Sequence, residues 1–191
     1  MTDNRKLNIV DEEGKMIGEE IRENIHHQGL LHREIHVWFY TPQGEIIFQH
    51  RGKDKDTYPD LLDATVGGHV EIDSDYEHTA LKELTEETGI RAEKNSLTFI
   101  LMIRSKTFDI VTHRINNVIR AIYAYRYEGN VEDLKIEKGE VIGFEAWPLE
   151  KIFSLSDKDK KRFVPAIFEK NNLEIFRKIK ELMGLGSGLE F

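Results

Sequence analysis

The chain has 191 residues, and its 27 Lys+Arg against 35 Asp+Glu give a net charge of -8, which with no basic block excludes a nucleic-acid polymer as partner. With 39% hydrophobic residues it can bury one sizeable core but is short for two domains. The absence of cysteine removes disulfides, thiolate metal sites and a cysteine nucleophile, and apolar stretches such as Phe99 to Ile103 are too short to span a bilayer.

In chain order, "KLNIV" and "KMIG" flank the turn-like "DEEG" of Asp11 to Gly14, and a polar stretch with helical character follows from Glu19 to Leu30. Residues 1–30 thus read as an N-terminal hairpin and polar extension. "EIHVWFY" and "EIIFQHR", separated by "TPQG", predict a β-hairpin. "LLDATVGG" predicts a short strand entering a glycine turn, and Asp73 to Thr88 predicts a helix ended by Gly89. "LTFILMI" and "NVIRAIYAYRY" read as strands joined by a polar segment holding Asp109, His113 and Arg114, with "EVIGFEAW" as one more. From Leu149 onward the spacing is helical, interrupted by Pro165 and the pair Asn171–Asn172, and 184–191 reads as a flexible tail. The expected organisation is an α+β domain over residues 31–155, with helices of 156–183 packed on it. The start, MTDNRKLNIV, lacks the apolar run of a secretion signal, so a cytoplasmic protein with no membrane partner is the expectation.

The helix carries Glu83, Glu86 and Glu87 on one narrow sector, where like charges repel. A divalent cation reverses that cost, because oxygen ligands on a rigid face suit magnesium; the bland alternative is a solvated acidic face.

Placed with its first glycine on Gly68, the stretch resembles the Nudix hydrolase signature: Gly, five residues, Glu, seven residues, then Arg-Glu-apolar-x-Glu-Glu-x-Gly-apolar. Gly68, Glu83, Leu84, Glu86, Glu87, Gly89 and Ile90 match, whereas Ser74 stands where the family has Glu and Lys82 where it has Arg. The resemblance, with its box at 68–90, implies a Nudix α/β/α sandwich with a mixed β-sheet. It further implies hydrolysis of a small nucleoside diphosphate or nucleoside diphosphate-linked substrate by a pyrophosphatase-type reaction, with Mg2+ or alternatively Mn2+. It assigns Glu83 and Glu87 as metal ligands and Glu86 as a further ligand or part of the base system. Gly67, Gly68, Lys82 and Gly89 take structural roles. Glu140, with Glu137 competing, would be a late catalytic glutamate, and homodimers are common among relatives. A hydroxyl at Ser74 cannot replace a carboxylate at the metal, so either Asp73 or Asp75 compensates or metal affinity and rate are reduced. Arg51, and after it Lys53 and Lys55, in the loop ending at Tyr58–Pro59, are the candidate phosphate clamp.

Within the superfamily the chain looks most like the branch related to isopentenyl-diphosphate isomerase, on "KLNIVDEEGKMIG", "IHHQGLLHREIHVWFY" and "LLDATVGGHV". That enzyme needs a cysteine where Gly67 stands and strand glutamates where Asn116 and Asn117 stand, so hydrolysis is expected rather than isomerisation. The resemblance also makes His69 and His32 candidate metal ligands, with His36 a weaker one. A domain that binds nucleotides without hydrolysing them is the competing class.

Overall fold

The computed structural model describes residues 4–55 and 57–184; the tail expected at 184–191 lies, apart from Gly184, outside them. β1 (Lys6–Val10) and β2 (Met16–Ile21) form an antiparallel hairpin. The Asp11 carboxylate accepts from the backbone N–H of Glu13 and Lys15, and Gly14 takes the left-handed conformation that closes the turn. Helical structure begins at Arg22 rather than Glu19, because Glu19, Glu20 and Ile21 remain paired to β1. α1 (Arg22–Gln28) then stops at left-handed Gly29.

β3 (His32–Tyr40) is the central strand. It runs parallel to β8 (Arg114–Arg126) along its whole length and antiparallel to β6 (Val66–His69) and to the start of β4 (Glu45–Arg51). β5 (Leu62–Asp63) and β9 (Val141–Pro148) extend the β4 side, and β7 (Leu97–Asp109) pairs with β8. The sheet is therefore mixed. The period of two decides what each face of β3 meets. Ile35, Val37 and Phe39 pack with Ala80 and Leu84 of α2 (Tyr76–Thr88). On the other face Trp38 packs with Phe48 and with Phe176 of α5 (Lys170–Leu182), each fully buried side chain contributing about 1.5–3 kcal/mol. α3 (Leu149–Ile152), α4 (Asp157–Lys160) and a 3-10 turn at Pro165–Phe168 complete that layer, giving a helix/sheet/helix sandwich.

Two expectations shift. The polar segment around Asp109, His113 and Arg114 is mostly strand, since β7 and β8 pair as far as Asp109 opposite Arg114. The pair Asn171–Asn172 does not break a helix: both lie in α5, where the Asn172 amide donates back to the Ala166 carbonyl. No helix among the described residues is long and apolar enough to cross a membrane.

Candidate active site

The carboxylate helix starts one residue after Asp75, whose side chain accepts from the His78 N–H, and ends at left-handed Gly89. This fixes α2 against β6, with Glu83 beside Gly68. A Cβ on Gly68 would lie 2.5 Å from the Glu83 Cγ, so only glycine lets the carboxylate approach the strand. Glu87 is 9% exposed and accepts a 2.7 Å hydrogen bond from the Gln49 amide on β4. Burial, then the neighbouring Glu83 charge, pushes the Glu87 carboxyl up to about 8. Burial likewise raises Glu83 to about 7; Lys82 opposes this and Glu86 adds to it. Glu86 is exposed and 3.9 Å from the Lys82 ammonium. Two crowded carboxylates that resist ionising, held against a bare glycine strand, are a donor set a divalent cation would stabilise.

These groups open into one cleft lined also by His36, Trp38, Lys55, Tyr58, Glu137 and Glu140. Burial and the Glu140 charge raise Glu137, while Glu140 is ion-paired with Lys55 across the mouth.

Residues 30–167 match the NUDIX domain family. The chain belongs to the Nudix family. Members of that family are hydrolases acting on phosphoanhydride bonds. An uncharacterized Nudix hydrolase of Clostridium acetobutylicum is 32% identical over 140 residues, covering 72% of this chain and 66% of that one. The uncharacterized Nudix hydrolase YfcD of Escherichia coli K12 is 38% identical over 84 residues, covering 44% of this chain and 47% of its own. The chain thus spans less than two thirds of the length of these curated relatives. A crystal structure from Deinococcus radiodurans superposes with a TM-score of 0.65 at 18% identity, covering 91% of this chain and 98% of that one. The Nudix domain of Shewanella oneidensis NrtR, solved with ADP ribose, gives 0.56 at 13%, covering 80% and 88%. Both likenesses concern the fold.

Within the Nudix box, neither Asp73 nor Asp75 takes the place of the carboxylate missing at Ser74. Asp75 caps α2, Asp73 sits at φ 63°, and the Ser74 hydroxyl lies 3.1 Å from that of Thr79. Glu71, three residues earlier, is the carboxylate that accepts a 2.7 Å hydrogen bond from Lys82 and lines the cleft. Lys82, standing at the family's Arg position, thereby links Glu71 to Glu86. Glu71→Gln should therefore raise the magnesium concentration for half-maximal activity several-fold, whereas Ser74→Glu should leave it within about twofold, a surface-level effect. A metal titration improved by Ser74→Glu would show that Glu71 does not hold this position.

The candidate phosphate clamp divides. Arg51 lines the cleft, but its guanidinium is engaged with the Thr57 and Tyr58 carbonyls, the Thr57 hydroxyl and Asp63, so it braces the loop. Lys53 is exposed and outside the cleft lining, where Lys55 lies instead.

His32 and His69 do come together, joined by a residue the sequence reading missed, His26 of α1; one ring nitrogen of each lies within 4.8 Å of the others. The Nδ1 atoms of His32 and His26 face the carbonyls of Leu30 (3.0 Å) and Ile115 (3.3 Å), which turns both Nε2 atoms inward. His32 Nε2 is buried without a hydrogen-bond partner in the protein. Glu34 stands 3.4 Å from His69 Nε2 and is held by both Arg120 and Asn116. Burial would raise the Glu34 carboxyl, but the Arg120 guanidinium and the histidines outweigh it and keep it well below the usual range. The doublet His26–His27 in "IHHQG" was the available signal, yet only the packing of α1 on β8 shows which of the two turns inward. His36 lies outside this trio, its pKa lowered to about 3 by burial and the Arg120 charge.

Proposed function

We propose that the chain is a magnesium-dependent Nudix hydrolase, with manganese as an alternative metal, cleaving a phosphoanhydride in a small nucleoside diphosphate or nucleoside diphosphate-linked substrate. The observation that carries this is the pairing of Glu83 and Glu87, both held above their usual carboxylate range, beside a strand that cannot tolerate a Cβ. Glu83 and Glu87 would hold the metal, with Glu86 at its exposed edge. When bound, the metal supplies charge neutralisation at the phosphates and a Lewis acid for the attacking water. Gln49 orients Glu87, and the Glu71–Lys82 pair steadies Glu86. Lys55, already bridging the mouth to Glu140, contributes a phosphate contact, while Glu137 and Glu140 are the carboxylates placed to receive a proton from water.

A phosphate-release screen of nucleoside di- and triphosphates, nucleotide sugars and dinucleotides with magnesium or manganese tests the reading. Turnover on one of these classes is the expected result; binding without turnover would replace the hydrolase with a sensor. Deuterium incorporation into isopentenyl diphosphate would overturn it in favour of chemistry at carbon, for which Gly67 offers no acid.

The imidazoles of His26, His32 and His69, with Glu34 beside them, fit a transition metal such as zinc better than magnesium. Purified protein is expected to carry up to one equivalent of zinc or manganese by elemental analysis, and His32→Gln should lose it while retaining the magnesium response of the box. An unchanged metal content in His32→Gln would remove the histidine site.

A further inference from the structure

β7 runs for 13 residues and, among the described residues, pairs with β8 alone, so its outer edge is open. Its two faces differ. On one, Ile103 is buried and Ile100 and Leu101 pack against the core layer that holds α5. The opposite face is bare: Phe99, Met102 and Phe108, with Ile110 and Val111 of the turn beyond, are 44% to 77% exposed. Five of the 11 large hydrophobic side chains exposed among the described residues thus fall within 97–111, a concentration that scattered surface residues do not produce. Phe99 and Phe108 are an odd number of residues apart and would ordinarily point to opposite faces. The bulge between Phe99 and Leu101 puts both on the face of their partners Tyr123 and Ile115, with Met102, Arg104 and Lys106 between them.

An edge of this length, with no proline and with apolar side chains beside it, is a template for another strand. Symmetry limits what closes it. β2, at another end of the sheet, is also open and exposes Met16 and Ile17, but β7 against β2 of another copy is a head-to-tail contact that leaves a new edge free at each step, whereas β7 against β7 closes on itself. Antiparallel pairing about Ser105 would set Met102 opposite Phe108 and, because of the bulge, Phe99 opposite Ile110, so the apolar side chains meet one another. Arg104 would then face Lys106. The Arg104 guanidinium is already held by Glu12 at 2.7 and 2.9 Å, and that carboxylate stays largely exposed. Lys106 is exposed and has no ion pair among the described residues. Lys106 of a second copy therefore arrives beside a carboxylate as well as a guanidinium, a charge match that singles out this register.

We propose that the outer edge and bare face of β7 form the interface of a two-fold homodimer, in which β7 pairs antiparallel with β7 of a second copy about Ser105 and the two sheets become one. The inference does not depend on the hydrolase reading. The axis of such a pairing stands perpendicular to the sheet, so the two clefts, each lined by Ser105 and Thr107, open on the same side. The end of β7 also carries Asp109, whose carboxylate accepts from the Tyr58 N–H of the cleft loop at 2.7 Å, so the dimer steadies the strand on which that loop hangs.

The test is sedimentation equilibrium of the full chain over a wide concentration range, with hydrogen exchange read along β7. Wild type should fit a monomer–dimer equilibrium, and the alternate β7 amides that point away from β8 should become protected as the dimer forms. Met102→Lys and Phe108→Lys, both at exposed positions, should each raise the dimer Kd at least about tenfold and leave those amides unprotected, with the circular dichroism of the folded chain retained. Ile142→Lys, which puts the same charge on an exposed apolar position of β9, should leave the dimer intact. A wild-type chain that stays monomeric, an open-ended series of larger species, a dimer that survives both β7 variants, or one whose outer β7 amides exchange freely would each overturn the proposal.

Discussion

Glu87→Gln and Glu83→Gln should each lower turnover by ~10²–10⁴-fold on any substrate the phosphate-release screen finds, with the fold intact. The amide keeps the shape of the carboxylate but not its charge, and a metal site on the box is worth several kcal/mol of transition-state stabilisation. The two variants differ in what remains. Gln at position 87 can still accept from the Gln49 amide, so the buried contact survives and only the charge is lost. Gln at position 83 still lies against Gly68. Circular dichroism and melting curves close to wild type, together with collapsed kcat, are the expected pair of results. Near-wild-type hydrolysis in either variant would end the metal role assigned to that residue.

The second large effect is on stability, and its sign runs opposite to the usual carboxylate case. Burial raises Glu87 to about 8 and Glu83 to about 7, against 4.5 for an ordinary exposed glutamate. The folded protein therefore holds these protons more tightly than the unfolded chain does. Their contribution is fully present below pH 4.5 and is lost as pH rises through 7 and 8. In chelator, the melting temperature should fall as pH rises from about 5 to 9, and Glu87→Gln should flatten that fall, being more stable than wild type at the alkaline end by roughly 1–3 kcal/mol. Added magnesium should restore wild type most where the carboxylates are ionised, so its stabilising effect grows with pH. Parallel melting profiles for wild type and Glu87→Gln across this range would show that Glu87 titrates normally.

The box was legible because its information is local. Helical spacing puts Glu83 and Glu87 on one side, Gly89 ends the helix at φ 76°, and Gly68 follows from the tight approach of helix to strand. The strands were legible for the same reason, since alternating aromatic and β-branched runs need no distant partner to be recognised. The ends were less so: Glu19 to Ile21 carry no strong strand pattern and are held as strand by β1.

What the sequence by itself determined was the family signature, the acidic helix, the lack of any thiol chemistry and the loss of a side chain at position 67. What only the tertiary structure decided is which charges and rings meet across long stretches of chain. Glu71 rather than Asp73 or Asp75 faces Lys82, because the turn into α2 points Asp75 at the helix end. Arg51 is turned into its own loop by carbonyls that a sequence does not locate. His26 joins His32 and His69 only because α1 packs on β8. Spacing encodes contacts within one element; contacts between elements depend on packing, where a single turn or bulge changes the partner.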